Sequence, residues 1–168
     1  MRRARRRPNS SPSKPGGVGV VIVRPFNHIG PGQAPSFAVS ALAKRIVEAE
    51  RTGVADVAAG TLTARRDYTD VRDVVRAYRL LATRAVPGAV YNVCSGRDVA
   101  ISEVAERLCA LAGIDVRLVT DPALVRRVDL PVLRGDGRRL AADTGWTPEI
   151  TLDETLRVVL TYWREQLA

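Results

Sequence analysis

The chain reads as an α/β protein with a mostly parallel sheet, and three observations carry that reading. Two short apolar runs rich in β-branched residues, Val18 to Val23 and AVYNVC at 89–94, suit parallel strands covered on both faces. Other segments repeat apolar residues every three or four positions, as helices laid on a sheet do. An elaborate loop, RPFNHIGPGQ at 24–33, follows the first run, at the strand end where open α/β sheets take ligands.

The elements follow in order. After the Val18–Val23 strand and its loop, Ser36 is placed to cap a helix whose apolar stripe is Val39, Leu42, Ile46 and Ala49, with Lys44, Arg45 and Glu48 off it. A second helix starts near Asp70, with Val71, Val74, Val75, Tyr78, Leu81 and Ala82 as its buried face. Strand 89–94 is followed by a third helix, built on Ile101, Val104, Ala105, Leu108 and Leu111 and stopped by Gly113. Val116 to Val119 reads as a further strand. Gly145 ends a short helix beside Trp146, with Asp136, Trp146 and Pro148 structural. Thr151 and Glu154 have capping-box spacing before a last helix through Leu152, Leu156, Val159, Leu160, Trp163 and Leu167.

Charge narrows the function. Of 26 Lys and Arg, six lie in residues 1–17, which hold no acid; the body sets 20 basic against 18 acidic residues, a net +2. The high pI belongs to a tail, MRRARRRPNSSPSKPGG, which cannot bury enough apolar surface to fold and is expected to be disordered. With no basic stripe interleaved with aromatics, the body is not expected to bind nucleic acid. No apolar run approaches a membrane span or a signal-peptide core, so a cytoplasmic protein without a membrane partner is expected. Cys94 and Cys109 have no metal or redox spacing and His28 is the only histidine, so no metal site is expected.

Two segments offer ligand chemistry. In the loop, Pro25 and Pro31 stiffen the chain, Gly30 and Gly32 admit tight turns or close approaches, and Asn27 offers a donor and an acceptor to a sugar hydroxyl or phosphate oxygen. The same composition also suits a rigid turn with no ligand. In ARRDYTDVRDVVRAY (64–78), Arg72, Arg76 and Arg79 fall opposite the apolar stripe as a solvated face. Arg66, at the strand-to-helix junction, is the better anion ligand, and Arg126 and Arg127 could meet the same anion. No nucleophile–base set and no paired carboxylates stand out, so no catalytic residue is assigned.

RPFNHIGPGQ, RRDYTDVRDVVRAY, YNVCSG and GDGRRLAADTGWTPEITLDETL resemble, in order and spacing, the C-terminal part of the extended short-chain dehydrogenase/reductases, the NAD-dependent epimerase/dehydratase family. The resemblance spans residues 18–168 and is nearest to the enzymes of GDP-mannose conversion, on the reductase side rather than the 4,6-dehydratase side. It implies a partial Rossmann-type parallel sheet plus a small α/β substrate-binding subdomain. Pro25 and Phe26 then face the nicotinamide end of a cofactor, and Asn27 contacts the sugar or diphosphate. Arg66 and Arg126 clamp the diphosphate, with Lys44 or Arg45 near the same anion, and the partner is a nucleotide sugar, a GDP-sugar favoured. Family members tend to carry Pro where this chain has Arg127, so the clamp could sit one residue along.

Family members also carry G-x-x-G-x-x-G for NAD or NADP and a Tyr-x-x-x-Lys pair. Neither occurs here, because Arg72, Ala82, Ser95 and Gln166 stand four residues after the tyrosines. The chain is therefore expected to be truncated, binding no cofactor alone, with residues 1–17 a wrong-frame or wrong-start extension joined at Gly17–Val18. A stand-alone sugar-nucleotide module or non-catalytic partner chain is the alternative. The four motifs are common to epimerases, dehydratases and reductases of the family.

Overall fold

The computed structural model describes residues 19–125 and 130–168. The expectations for the 1–17 tail, Val18, Arg126 and Arg127 fall outside those residues.

In chain order the elements are β1 (Ile22–Pro25), β2 (Asn27–Ile29), α1 (Ala38–Thr52), β3 (Asp56–Ala59), β4 (Arg65–Asp70), α2 (Val71–Arg84), β5 (Val90–Val93) and β6 (Asp98–Ala100). Then come α3 (Ile101–Ala112), β7 (Arg117–Thr120), β8 (Val132–Leu133), α4 (Arg138–Thr144) and α5 (Leu152–Gln166). β1 pairs in parallel with β5, and β3 with β7. β4 is the hub of the third sheet, parallel to β2 and β8 and antiparallel to β6. The α/β class with largely parallel pairing is the one the sequence predicts.

Among the described residues the buried side chains form two apolar cores. In the first, α1, α3 and α5 pack with β3 through Leu42, Ile46, Val57, Leu108, Leu156 and Leu160, all buried. In the second, Val74, Ala77 and Leu81 of α2 meet Tyr91 and Val93 of β5, with Leu140 and Trp146 alongside. The buried Tyr91 hydroxyl donates to Asp143 (2.7 Å) and accepts from the Val86 amide (3.0 Å), which satisfies it inside the core.

Several elements stand where the pattern puts them. The α1 stripe Val39, Leu42, Ile46 and Ala49 is buried. Asp70 caps α2 by accepting from the Arg72 amide at 2.8 Å, Gly113 closes α3 at φ 74°, and Gly145 closes α4 at φ 75°. The Thr151–Glu154 capping box opens α5.

Others are corrected. Ser36 does not cap α1: Phe37 occupies the N-cap without a side-chain bond, while Ser40 Oγ turns back to the Gln33 carbonyl at 2.6 Å. The buried stripe of α2 runs through Asp73, Val74, Ala77 and Leu81, leaving Val75 and Tyr78 exposed. The helix rotates because Asp73 is drawn inward, its carboxylate accepting the Glu149 and Ile150 amides (2.9 and 3.0 Å). Of the arginines expected to form a solvated face, Arg72 and Arg79 are exposed as expected, Arg72 pairing with Asp70, while Arg76 is half-buried, pairs with Asp73 and Glu149 and lies over Trp146. The last predicted strand begins one residue later, at Arg117.

β1 departs furthest. It spans Ile22–Pro25, with Val21 and Val23 turned to the second core, but Val20 is 67% and Ile22 50% exposed. Among the described residues only one of its faces is covered and only one of its edges is paired. Parallel strands are ordinarily buried on both faces, and among the described residues β1 departs from that pattern.

Candidate functional site

A cavity of about 450 Å³ opens where β2 and β3 end and α1 begins. Phe26 and Asn27 enter it from the β1–β2 junction, and Ala59, Gly60 and Thr61 form its far wall at the end of β3. Phe37 and the first turn of α1 complete one side. That turn holds no acidic residue and no side-chain bond at its N-cap, and its amides and the helix dipole favour an anion.

Two guanidinium groups bring the cavity positive charge. Arg45 reaches in from α1, its Nη1 donating to the Ala58 carbonyl at 3.1 Å. Arg66 comes from β4, its Nη1 donating to the carbonyls of Arg65 and Leu130, both at 2.7 Å. Backbone oxygens orient both guanidinium groups at the cavity, where their forks of donors suit an anionic ligand.

The two loop glycines serve the fold. A Cβ on Gly30 would meet Val71 Cγ1 at 2.5 Å, so its absence lets the loop lie on the start of α2. Gly32 holds φ 79° in the turn before α1. The part of RPFNHIGPGQ that meets the cavity is Phe26 to Ile29 with Gln33, whose side chain donates to the His28 carbonyl at 2.9 Å.

Of the residues singled out by sequence, Phe26, Asn27, Arg45 and Arg66 converge on this cavity. Pro25 ends β1 opposite Val93 and is not among the lining residues. Lys44 points along α1 to Glu48 at 3.0 Å, leaving Arg45 as the member of that pair at the cavity. Arg126 lies outside the described residues. Tyr68, Phe37 and the Ala59–Thr61 wall escaped sequence reading. The alternation of β4 could have found Tyr68: Arg66 and Tyr68 share the cavity face, while Asp67 between them is fully buried.

A second, open cavity of about 600 Å³ lies beyond β5, with the buried Cys94 and residues 134–138 along it. Burial, with the Asp67 charge nearby, pushes the Cys94 thiol up to about 11, so it stays protonated near neutrality. At its rim Arg138 donates to Asp136 and holds that carboxyl down to about 2. Among the described residues no three His, Cys, Asp or Glu side chains gather as metal ligands, and no helix is long and apolar enough to cross a membrane.

Parallel strands flanked by helices, with a cavity lined by Arg45 and Arg66 at the strand ends, make this an α/β ligand-binding unit. Its fold matches the P. aeruginosa protein RMD solved with NADPH (TM-score 0.83, 40% identity, 88% of this chain, 49% of that one). It also matches the UDP-glucose 4-epimerase of Thermotoga maritima solved with UDP-glucose (TM-score 0.77, 27% identity, 88% and 47%). A family model described as GDP-mannose 4,6 dehydratase matches residues 14–159, and the chain belongs to that family. It is 41% identical over 149 residues to the GDP-6-deoxy-D-mannose reductase of Pseudomonas aeruginosa, covering 88% of this chain and 49% of that protein. Identity to the GDP-6-deoxy-D-talose 4-dehydrogenase of Aggregatibacter actinomycetemcomitans is 26%, over 73% of this chain and 40% of that protein. The chain spans about half the length of the curated relatives it matches.

Proposed function

We propose that this chain is the sugar-nucleotide-binding part of an NAD- or NADP-dependent enzyme that modifies a GDP-sugar, GDP-4-keto-6-deoxy-mannose reduction being the first choice and GDP-mannose dehydration the second. The observation that carries the reading is the convergence of Arg45, Arg66 and the uncapped start of α1 on one cavity beside Asn27. Two guanidinium forks and a helix N-terminus suit a diphosphate, and Asn27 suits a sugar hydroxyl. Arg126 joins the clamp in this reading, and Pro25 and Phe26 face the nicotinamide.

The described residues do not fit a dinucleotide by themselves. The glycines of the β2–α1 loop are used for packing and for a turn, and the sequence has no G-x-x-G-x-x-G. The cofactor fold and the Tyr-Lys pair therefore come from outside these residues. The bare face and unpaired edge of β1, with Val20, Ile22 and Val86 exposed, support docking onto such a half. Two unpaired thiols suit a reducing compartment, and the reading includes a cytoplasmic location.

Calorimetric titration of the full chain with GDP tests the site. Saturable binding is expected, weakened roughly tenfold or more in Arg45→Ala and Arg66→Ala, since a lost charged hydrogen bond costs about 1.5–3 kcal/mol. NADPH alone is expected not to saturate the chain, and mixing with a separately produced cofactor-binding half of a relative is expected to give turnover. Absence of GDP binding at millimolar concentration overturns the reading; GDP binding without turnover on mixing favours a stand-alone binding module.

A further inference from the structure

We propose that Gly135 is a positioning residue for the sugar-nucleotide site, its missing side chain allowing the segment after β8 to seat the Phe26 ring in the cavity wall. The inference rests on the proposed GDP-sugar reading, and its mechanical part stands on contacts alone.

A Cβ on Gly135 would lie 2.5 Å from Cys94 Sγ, 2.6 Å from Cys94 Cβ and 3.0 Å from Phe26 Cδ2. No side chain fits there without moving the end of β5, the phenyl ring or the segment itself. Gly137, two residues on, has the same neighbour, Cys94 Sγ at 3.3 Å from its Cβ position. The glycines of GDGRR therefore press the segment against the floor of the second cavity. Phe26, the other neighbour of the Gly135 Cβ position, lines the first cavity.

The segment is also anchored. The Asp67 carboxylate, wholly buried, accepts from the Ser95 amide (2.8 Å) and hydroxyl (2.6 Å), the Gly96 amide (2.9 Å) and the Gly135 amide (3.1 Å). One side chain of β4 thus ties together the β5–β6 turn and the start of the 134–137 segment. Its chain neighbours on either side, Arg66 and Tyr68, line the candidate site. The Phe26 amide is fixed independently by the Val93 carbonyl at 2.9 Å. With backbone and anchor both set, the remaining freedom of the ring is limited by the Gly135 contact. A lost ring position costs binding without any loss of a direct ligand contact at Gly135.

Phe26 and Phe37 are the only phenylalanines, so 4-fluorophenylalanine labelling gives two ¹⁹F signals, one a control on the exposed Phe37. Gly135→Ala is expected to shift the Phe26 signal, leave that of Phe37, and weaken GDP binding roughly tenfold at a temperature where the chain is folded. Gly135→Ala combined with Phe26→Leu is expected to bind no worse than Phe26→Leu alone, because both act through one ring. Should Gly135→Ala not fold, Cys94→Ala opens space on the other side of Gly135 and is expected to move the same signal and affinity. A variant that lowers the melting temperature while leaving the Phe26 signal and GDP affinity unchanged overturns the proposal, as does additivity in the double variant. Failure of the wild-type chain to bind GDP counts instead against the sugar-nucleotide reading, and the Phe26 signal still decides the Gly135 contact.

Discussion

Thr155 Oγ1 donates to Asp70 Oδ2 at 2.7 Å across 85 residues of sequence, joining the cap of α2 to the first turn of α5. Both residues are buried, and the same carboxylate accepts from the amide and guanidinium of Arg72. Replacing Thr155 by Val keeps the shape and removes the donor. Thr155→Val is expected to lower stability by about 1–3 kcal/mol, read as a reduced urea midpoint with unchanged slope. A midpoint equal to that of the wild type shows that the bond contributes nothing net.

The same carboxylate sets a pH dependence. Burial alone raises the Asp70 pKa, but hydrogen bonds from Arg72 and Thr155 outweigh it and hold the group below its ordinary value. Asp98, held down by Arg65, and Glu103, held down by the Ala100 amide and Arg65, shift the same way. A carboxyl with a depressed folded pKa stabilises the chain above its unfolded value, about 3.9 for Asp and 4.3 for Glu, and that contribution is lost as pH falls through the folded value. Melting temperature is therefore expected to hold from neutrality to about pH 5 and to fall below about pH 4. Asp70→Asn, lower throughout, is expected to fall less steeply with acid. A parallel profile counts against Asp70 as a contributor.

Gly30 and Val71 form a contact that any side chain at position 30 disturbs. Gly30→Ala is expected to cost about 1–3 kcal/mol by overpacking. Val71→Ala in the same chain is expected to recover most of that loss, since it removes Cγ1. Thermal unfolding of the four combinations measures the coupling, and additive losses place the strain elsewhere.

The outward face of β1 is a docking surface in our reading, and its chemistry predicts self-association of the chain on its own. Ile22→Lys is expected to reduce light scattering at high concentration while changing stability by less than about 0.5 kcal/mol, because Ile22 is already half exposed. Unchanged scattering, or a large loss of stability, shows that Ile22 is not part of an apolar edge.

Cys94 is expected to resist iodoacetamide at pH 8 in the folded chain and to react once urea unfolds it, since its thiol is buried and stays protonated. Mass spectrometry of the peptide containing residue 94 reads the outcome. Rapid labelling in the native chain means that the floor of the second cavity opens.

Much of the fold was legible because periodicity reports burial directly. The stripe of α1, the glycine stops of α3 and α4 and the capping box of α5 are local patterns, each satisfied within a few residues. Strand β4 was legible only as the junction before the Asp70 helix, because Arg-Arg-Asp-Tyr-Thr-Asp is polar and its extent is set by partners at 27–29, 98–100 and 132–133. The buried face of α2 was misread for a related reason: Val75 and Tyr78 are as apolar as their neighbours, but Asp73 has distant amides to accept from and takes the inward place.

By itself, then, the sequence determined the α/β class, most helices and their stops, and the membership implied by four ordered motifs, and it offered Asn27, Lys44 or Arg45, Arg66 and Arg126 as candidates for one ligand. Those properties depend on side-chain type and spacing along a few turns. Tertiary structure alone decided that Arg45 and not Lys44 reaches the cavity, that Pro25 lies outside it, and that Gly30 packs against Val71. It alone also brought Asp67, Cys94 and Phe26 around Gly135. Each of these depends on which backbone approaches which, and such approaches are set by strand register and helix rotation, which no local pattern encodes.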